Sequence, residues 1–237
     1  MGSLIALIPA RAYSKRFPGK NKVILGGKPL FQWTLEAAVN SQVFDKVVLS
    51  SDSQDILNSA KNLPYDSVVT DYRPAHLASD QATAAEVLMD YLEREHQQGI
   101  AYDLCSVLLP TSPFRTANDI VEALALLKPK VDSVVSMQRS HQLPQFLYRR
   151  TEQGMALLNL EDSLERVQMT RSQDNPDYFY PNGAIYIART SSFLKNRTFY
   201  GQNLAIYEMP TERSIDIDYP VDLAFAEFLL ARSEALQ

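Results

Sequence analysis

Two stretches near opposite ends of this chain carry charge in patterns suited to chemistry. Near the amino end, "IPARAYSKRFPGKN" and the residue after it place Arg11, Lys15, Arg16, Lys20 and Lys22 within twelve positions. The whole chain is nevertheless acidic, with a formal net charge of -5. Clustered like charges cost free energy unless an anion offsets them. Arginine grips phosphate oxygens in pairs and lysine supplies point charges. The stretch is not a P-loop, because Gly19-Lys20 is followed by Asn21, and it holds no G-x-G of a dinucleotide fingerprint. Two readings stand: a cradle for a polyphosphate, or a solvated turn whose lysines point to water. Near the carboxyl end, "SIDIDYPVD" carries three aspartates. In an extended segment Asp216 and Asp218 point to one side and Ile215 and Ile217 to the other. Two close carboxylates repel unless a cation sits between them, and hard oxygen ligands suit magnesium, which also bridges phosphates. A solvated turn is again the alternative. Asp222 falls in the first turn of the next helix, where negative charge suits the dipole, and is read as structural.

Four further stretches are rich in polar groups. In "DYRPAHLASDQAT", Pro74 restricts the backbone of Arg73, and Ser79 and Asp80 fit as caps for a helix starting near Thr83. "SSD", Ser50 to Asp52, ends a strand; there Ser51 and Asp52 face a ligand or Asp52 caps a helix. "LLPTSPFRT" offers Thr111, Ser112 and Arg115 on a loop stiffened by two prolines, suited to a polyol. In the same loop Thr116 or Asn118 serves as a helix cap. "YPNGAIYI" runs from a loop into a strand, with Gly183 giving close backbone approach. Tyr186 there is either core or contact.

These loops need a frame. Short apolar runs at Leu4 to Ile8, Lys46 to Ser50, Ser67 to Thr70, Leu104 to Leu109, Ser133 to Met137, Ala184 to Ala188 and Leu204 to Met209 read as strands. Several are apolar on both faces, as strands between two helix layers are. Helical spacing appears at Leu30, Trp33, Ala37 and Ala38, at Ala84, Val87, Leu88, Tyr91 and Leu92, and at Val221, Ala224, Phe225, Phe228 and Leu229. The alternation predicts an α/β fold, a doubly wound and mostly parallel Rossmann-like sheet that binds ligands at the carboxyl ends of its strands. Residues 138–177 break the rhythm and read as an arm inserted into a core of 1–137 and 178–237; a plain loop insertion fits equally.

Composition narrows the class. Hydrophobic residues make up 46% and charged residues 22% of 237, ordinary for a globular domain. The single cysteine, Cys105, cannot form an internal disulfide, which fits a reducing compartment. The first apolar run is too short for a signal peptide and no run reaches membrane-spanning length, so a cytoplasmic protein with no membrane partner is expected. Mild acidity argues against a nucleic-acid partner.

The motifs also resemble a known family. "IPARAYSKRFPGKN" resembles the opening of the sugar nucleotidylyltransferases, and among them the cytidylyltransferases that activate acidic nine-carbon sugars, the CMP-sialic acid synthetase (N-acylneuraminate cytidylyltransferase) family. "RPAHLASD", "LLPTSPFR", "NGAIY" and "SIDIDYPVD" resemble later motifs of that family in order. The resemblance implies CTP and an acidic nine-carbon sugar as substrates. It implies triphosphate or nucleotide contacts by Arg11, Ser14, Lys15, Lys20, Asn21, Ser51, Arg73 and Ser79. It implies sugar contacts by Thr111, Ser112, Arg115, Arg171, Asn182 and Tyr186, with Phe199 and Tyr200 flanking an N-acyl group. Asp216 and Asp218 are implied as ligands of Mg²⁺, with Arg11 and Lys20 stabilising the leaving pyrophosphate. The sugar's anomeric hydroxyl attacks the α-phosphorus, and its proton passes to Asp216 or to a water on the metal. The arm resembles a dimerisation segment that reaches a partner's site in a homodimer. Two departures bear on the sugar. Leu109 stands where sialic-acid-activating relatives often carry Gln. Pro144-Gln145-Phe146 stands where P-x-K is usual, leaving Arg149 and Arg171 as substitutes for that lysine. The same reaction on another nonulosonic acid, such as legionaminic acid, is the near alternative, and a non-catalytic binding module the far one.

Overall fold

The computed structural model describes residues 2–144, 147–150, 152, 156–158 and 177–234. Its frame is a seven-stranded sheet formed by β1 (Leu4–Pro9), β4 (Lys46–Ser51), β5 (Val68–Tyr72), β6 (Leu104–Val107), β7 (Ser133–Arg139), β10 (Phe179–Arg189) and β11 (Leu204–Glu208). The spatial order is β11-β7-β10-β6-β1-β4-β5. β10 alone runs antiparallel to its neighbours in this sheet. Each expected apolar run is a strand of this sheet.

Helices cover both faces. α1 (Leu30–Ser41), α2 (Gln54–Lys61) and α4 (Ala117–Ala125) pack on one side; α3 (Ala84–Gln97) and α5 (Thr190–Asn196) pack on the other. The period-2 geometry of β1 shows why "LIALI" is apolar throughout. Leu4, Ala6 and Ile8 join the first layer, while Ile5 and Leu7 join the second. Each fully buried aliphatic side chain of this kind contributes about 1.5–3 kcal/mol over exposure. Cys105 lies in the second layer, and burial pushes its thiol pKa up to about 12. Among the described residues no helix is long and apolar enough to cross a membrane.

A third, smaller cluster governs the site. Leu25, Leu30, Ile217 and Ala226 are buried together, with Phe17, Trp33, Phe114, Ile215, Leu223 and Leu230 around them. It ties the basic loop, the acidic segment and the last helix α6 (Pro220–Glu234) to one another. The spacing predicts Val221, Phe225 and Phe228 on the inner face of α6, but all three are exposed and Leu223, Ala226 and Leu230 face inward. The helix is apolar nearly all round, so its own pattern does not select a face; the Leu25–Leu30–Ile217 surface does. A two-stranded hairpin, β2 (Ile24–Leu25) and β3 (Lys28–Pro29), also escaped the sequence reading. Its turn uses Gly26 and Gly27 at φ 54° and 81°, the positive values a tight two-residue turn demands.

Within residues 138–177, the described part holds a short antiparallel pair, β8 (Tyr148–Arg150) and β9 (Ala156–Leu158). The sheet itself continues to Arg139 and resumes at Phe179. Arg171, Gln145, Phe146 and the side chain of Arg149 lie outside the described residues.

Candidate active site

The loops after β1, β4, β5 and β6 all leave the sheet at one edge because those strands are parallel. β10 runs the other way, so its beginning reaches the same edge: Tyr186 pairs with Val107, the last residue of β6. All five motifs therefore meet along one line.

On one side of the cleft the basic loop is held by its backbone. Asp52 Oδ1 accepts the Ala12 amide at 2.7 Å, and Asn21 Nδ2 donates to the Arg11 carbonyl at 2.8 Å. Gly19, at φ 71°, turns the chain into the short helical turn Lys20–Lys22. Asp52 is thus a loop anchor, while Ser53 caps α2. Thr83 caps α3 in a reciprocal box with Glu86, so Ser79 and Asp80 are not its caps. Instead Asp80 meets Arg11 at 2.8 Å and Lys15 at 3.0 Å, and the Ser79 carbonyl accepts from Arg11 at 3.3 Å. Three residues expected as direct contacts are buried and engaged elsewhere. Ser51 accepts the Ser53 amide at 3.0 Å. Arg73, 4% exposed, donates to the Ser50 carbonyl at 2.8 Å. Burial lowers its pKa, the carboxylates of Asp52 and Asp71 oppose that, and Arg11 adds repulsion. Asn21 is buried in holding the loop as above, and Ser14 is buried as well.

The acidic segment faces this loop. Ile215 and Ile217 pack into the third cluster, and the Ile217 amide donates to the Thr111 carbonyl at 2.8 Å. Asp222 accepts the amides of Asp218 and Tyr219 at 2.9 and 2.7 Å, the helix-start role expected of it. Asp218 meets Arg16 at 2.6 Å and Lys20 at 2.7 Å. Lys20 also donates to the Ile217 carbonyl at 3.3 Å. Arg16, which sequence reasoning left among the loop charges, lies over the Tyr219 ring as well. Asp216 stands at the cleft, open to solvent yet hemmed in by protein. Desolvation raises its pKa, the hydroxyl of Thr111 opposes that, and the charge of Asp218 adds to the rise. Among the described residues no three His, Cys, Asp or Glu side chains cluster as a metal site. Two neighbouring carboxylates nonetheless suit a magnesium ion that takes its remaining ligands from water and phosphate.

The other side of the cleft is built differently. Six residues of β10, Pro181 to Tyr186, lie opposite three of β7, Val135 to Met137, so the strand bulges at Asn182–Ile185. Asn182, 2% exposed, closes the bulge: its Oδ1 accepts from Ser136 Oγ at 2.6 Å and its Nδ2 donates to Ser214 Oγ at 2.9 Å. Ser112 Oγ donates to the Asn182 carbonyl at 2.9 Å. Arg115, 3% exposed, donates to the Ala184 carbonyl at 2.7 Å, to Thr34 Oγ1 at 2.6 Å and to the Leu109 carbonyl. Ser112, Arg115 and Asn182, expected as sugar contacts, thus use their side chains to hold the bulge. The bulge brings Gly183, at φ 78°, into a spot where a Cβ would sit 2.9 Å from Ser112 Oγ and 4.0 Å from Asp216 Cγ. Thr116 caps α4 with Asp119, as the sequence allowed.

Beyond the bulge lies a pocket of about 170 Å³ lined by Ala84, Ala85, Val107, Leu109, Tyr186, Thr198, Phe199 and Tyr200. Phe199 is core, packed on Phe193 and Tyr186, while Tyr200 is half exposed and meets Tyr186 edge-on. Burial, with the hydrogen bond to Tyr200, drives the Tyr186 pKa far up, so its hydroxyl stays protonated.

Comparison with known proteins agrees with this arrangement. The cytidylyltransferase family profile matches residues 5–236. The chain is 35% identical to CMP-N,N'-diacetyllegionaminic acid synthase of Legionella pneumophila, covering 96% of both. It is 34% identical to N-acylneuraminate cytidylyltransferase of Escherichia coli over 94% of this chain, spanning about half (51%) of that longer protein. It is 30% identical to pseudaminic acid cytidylyltransferase of Campylobacter jejuni, covering 95% of both. Among solved structures, a CMP:2-keto-3-deoxy-manno-octonic acid synthetase complexed with CTP superposes with a TM-score of 0.66 at 18% identity, over 98% of this chain and 99% of that one. The 4-diphosphocytidyl-2C-methyl-D-erythritol synthase of Anaerococcus prevotii gives 0.67 at 13%, over 97% and 96%. These two speak for the fold: a nucleotidyltransferase-type α/β sheet. On the sequence matches, the chain belongs to the CMP-sialic acid synthetase (N-acylneuraminate cytidylyltransferase) family of cytidylyltransferases.

Proposed function

We propose that this chain transfers CMP from CTP to the anomeric hydroxyl of a nonulosonic acid and releases pyrophosphate. The single observation that carries the reading is the meeting of Lys20 and Arg16 with Asp218 across one cleft, with Arg11 and Lys15 farther along the same loop. Such a cleft suits a phosphoryl-type transfer, where positioning and charge stabilisation outweigh covalent catalysis. Arg11, Lys15 and Lys20 contact the triphosphate; Arg11 and Lys20 stabilise charge building on the departing pyrophosphate. Arg73 adds positive potential from beneath. Asp216 and Asp218 hold Mg²⁺, which neutralises phosphate charge when bound. The proton of the attacking hydroxyl passes to the Asp216 carboxylate.

For the acceptor, N-acetylneuraminate is the first reading, with Tyr186 and Tyr200 against its N-acyl group. A second is favoured by one observation: Leu109 makes the 170 Å³ pocket apolar where an amide would bond a sugar hydroxyl. That suits a sugar with a second acyl group, as the name of the Legionella relative describes for its product. A homodimer completed by the arm, and a cytoplasmic location, belong to the same proposal. The test is pyrophosphate release from CTP with magnesium and a panel of acidic nine-carbon sugars. Asp218→Ala should lower turnover at least about 100-fold with an unchanged circular-dichroism spectrum. Unchanged turnover overturns the metal assignment, and no release with any sugar favours the non-catalytic reading.

A further inference from the structure

Asp80 has no task in its own segment. Thr83 and Glu86 cap the helix that follows it. Both of its carboxyl oxygens are instead engaged across the cleft, Oδ1 by Arg11 at 2.8 Å and Oδ2 by Lys15 at 3.0 Å. A carboxylate bridging an arginine and a lysine copies what two oxygens of a phosphate do. The loop needs such a partner when it stands alone, because Arg11 also repels the buried Arg73 behind it.

We propose that Asp80 is a positioning residue that acts as a built-in counter-ion for the nucleotide site. It keeps Arg11 and Lys15 in place without ligand, and incoming phosphates displace it. The inference rests on the reading above that the loop holds the triphosphate. Its consequence is a tuned affinity. Arg11 and Lys15 must release the Asp80 carboxylate before they can grip a phosphate oxygen, so pyrophosphate is held less tightly and leaves more readily. A merely structural role has the opposite sign: removing it would loosen the loop and weaken anion binding.

The test is calorimetric titration of inorganic pyrophosphate, without magnesium, into the full chain and into Asp80→Asn. Exposed ion pairs are individually weak, so the expected gain is roughly three- to tenfold tighter binding. The control is Asp55→Asn, which removes the same charge from a partner of Lys22 on the same loop, 3.2 Å away. It should change the affinity less than twofold. Asp80→Glu should restore the wild-type value. Weaker binding by Asp80→Asn, or equal tightening by both asparagine variants, overturns the counter-ion role. Absence of binding by wild-type protein to both pyrophosphate and CTP overturns the nucleotide-site reading and this proposal with it.

Discussion

The two halves of the cleft are built on opposite principles. On the side proposed for the nucleotide, several charged side chains of the basic loop reach the surface and are paired with carboxylates. Lys15 is 74% exposed and Arg16 56%. On the other side, proposed for the sugar, Ser112, Arg115 and Asn182 are buried and hydrogen-bonded to backbone carbonyls and to buried hydroxyls. "PTSP-x-R" and "NGAIY" turn out to be one structure: Ser112 and Arg115 from the first hold the carbonyls of Asn182 and Ala184 in the second. The difference teaches that a distinctive motif can mark scaffolding as readily as contact. Surface cations can exchange a carboxylate for an incoming anion, whereas the wall around Gly183 has its shape set from behind.

The comparison is most exposed at Arg115. If it positions the bulge, its loss removes three hydrogen bonds from a charged donor, to Ala184 O, Thr34 Oγ1 and Leu109 O, worth about 1.5–3 kcal/mol each. Arg115→Met should therefore destabilise the chain by at least about 3 kcal/mol in urea unfolding, a large share of a typical 5–15 kcal/mol. Arg115→Lys should fare little better, since an ammonium cannot reproduce the planar fork. CTP affinity of the molecules that remain folded should hold. A stable Arg115→Met protein that has lost only sugar affinity would collapse the distinction between the two sides.

Much of this was legible in the sequence. The alternation of apolar runs and helical spacing gave the seven strands and the α/β class, because strands sandwiched between helix layers must be apolar on both faces. Charge clustering gave the basic loop and the acidic pair, since each is costly unless it meets its opposite. What stayed hidden depended on distant partners. No local pattern says that Asn182 will bond Ser136 and Ser214, residues 46 and 32 positions away. The exposed face of α6 was misread because Phe225 and Phe228 fit the helical period as well as Leu223 and Leu230 do. Arg16 and Asp80 were visible as charges, but only the fold shows Arg16 on Asp218 and Asp80 on Arg11.

Lys20 tests the other half. Its side chain is only 12% exposed, and its ammonium lies on Asp218 at 2.7 Å. Charged hydrogen bonds are worth about 1.5–3 kcal/mol, so Lys20→Ala should weaken CTP roughly 10- to 100-fold. Its effect on the KM for sugar should stay within about threefold. The urea midpoint should move far less than for Arg115→Met, because the partner left behind, Asp218, keeps Arg16 at 2.6 Å. A larger shift for sugar than for CTP would mean that the two sides have been exchanged.

The smallest effect concerns the support behind the acidic segment. Arg213, directly before Ser214, is held by Asp119 at 2.6 Å, and Tyr207 places its hydroxyl 2.8 Å from the same carboxylate. Burial opposes the Asp119 charge, but Arg213, the Thr116 amide and hydroxyl, and Tyr207 together outweigh it and hold its pKa below the ordinary 3.8. A carboxylate whose pKa is depressed on folding adds stability that is present in full above its unfolded value. That stability is lost as pH falls through the folded value. Asp119→Asn should therefore cost about 1 kcal/mol at pH 7 and nothing further once the pH has fallen below the folded value, so the two acid-unfolding curves should converge there. Because Arg213 leads into the segment that carries Asp216 and Asp218, the variant should also raise the magnesium concentration needed for half-maximal turnover, while leaving metal-free CTP affinity alone. A change in the second quantity and not the first would place Asp119 behind the nucleotide loop rather than behind the acidic pair.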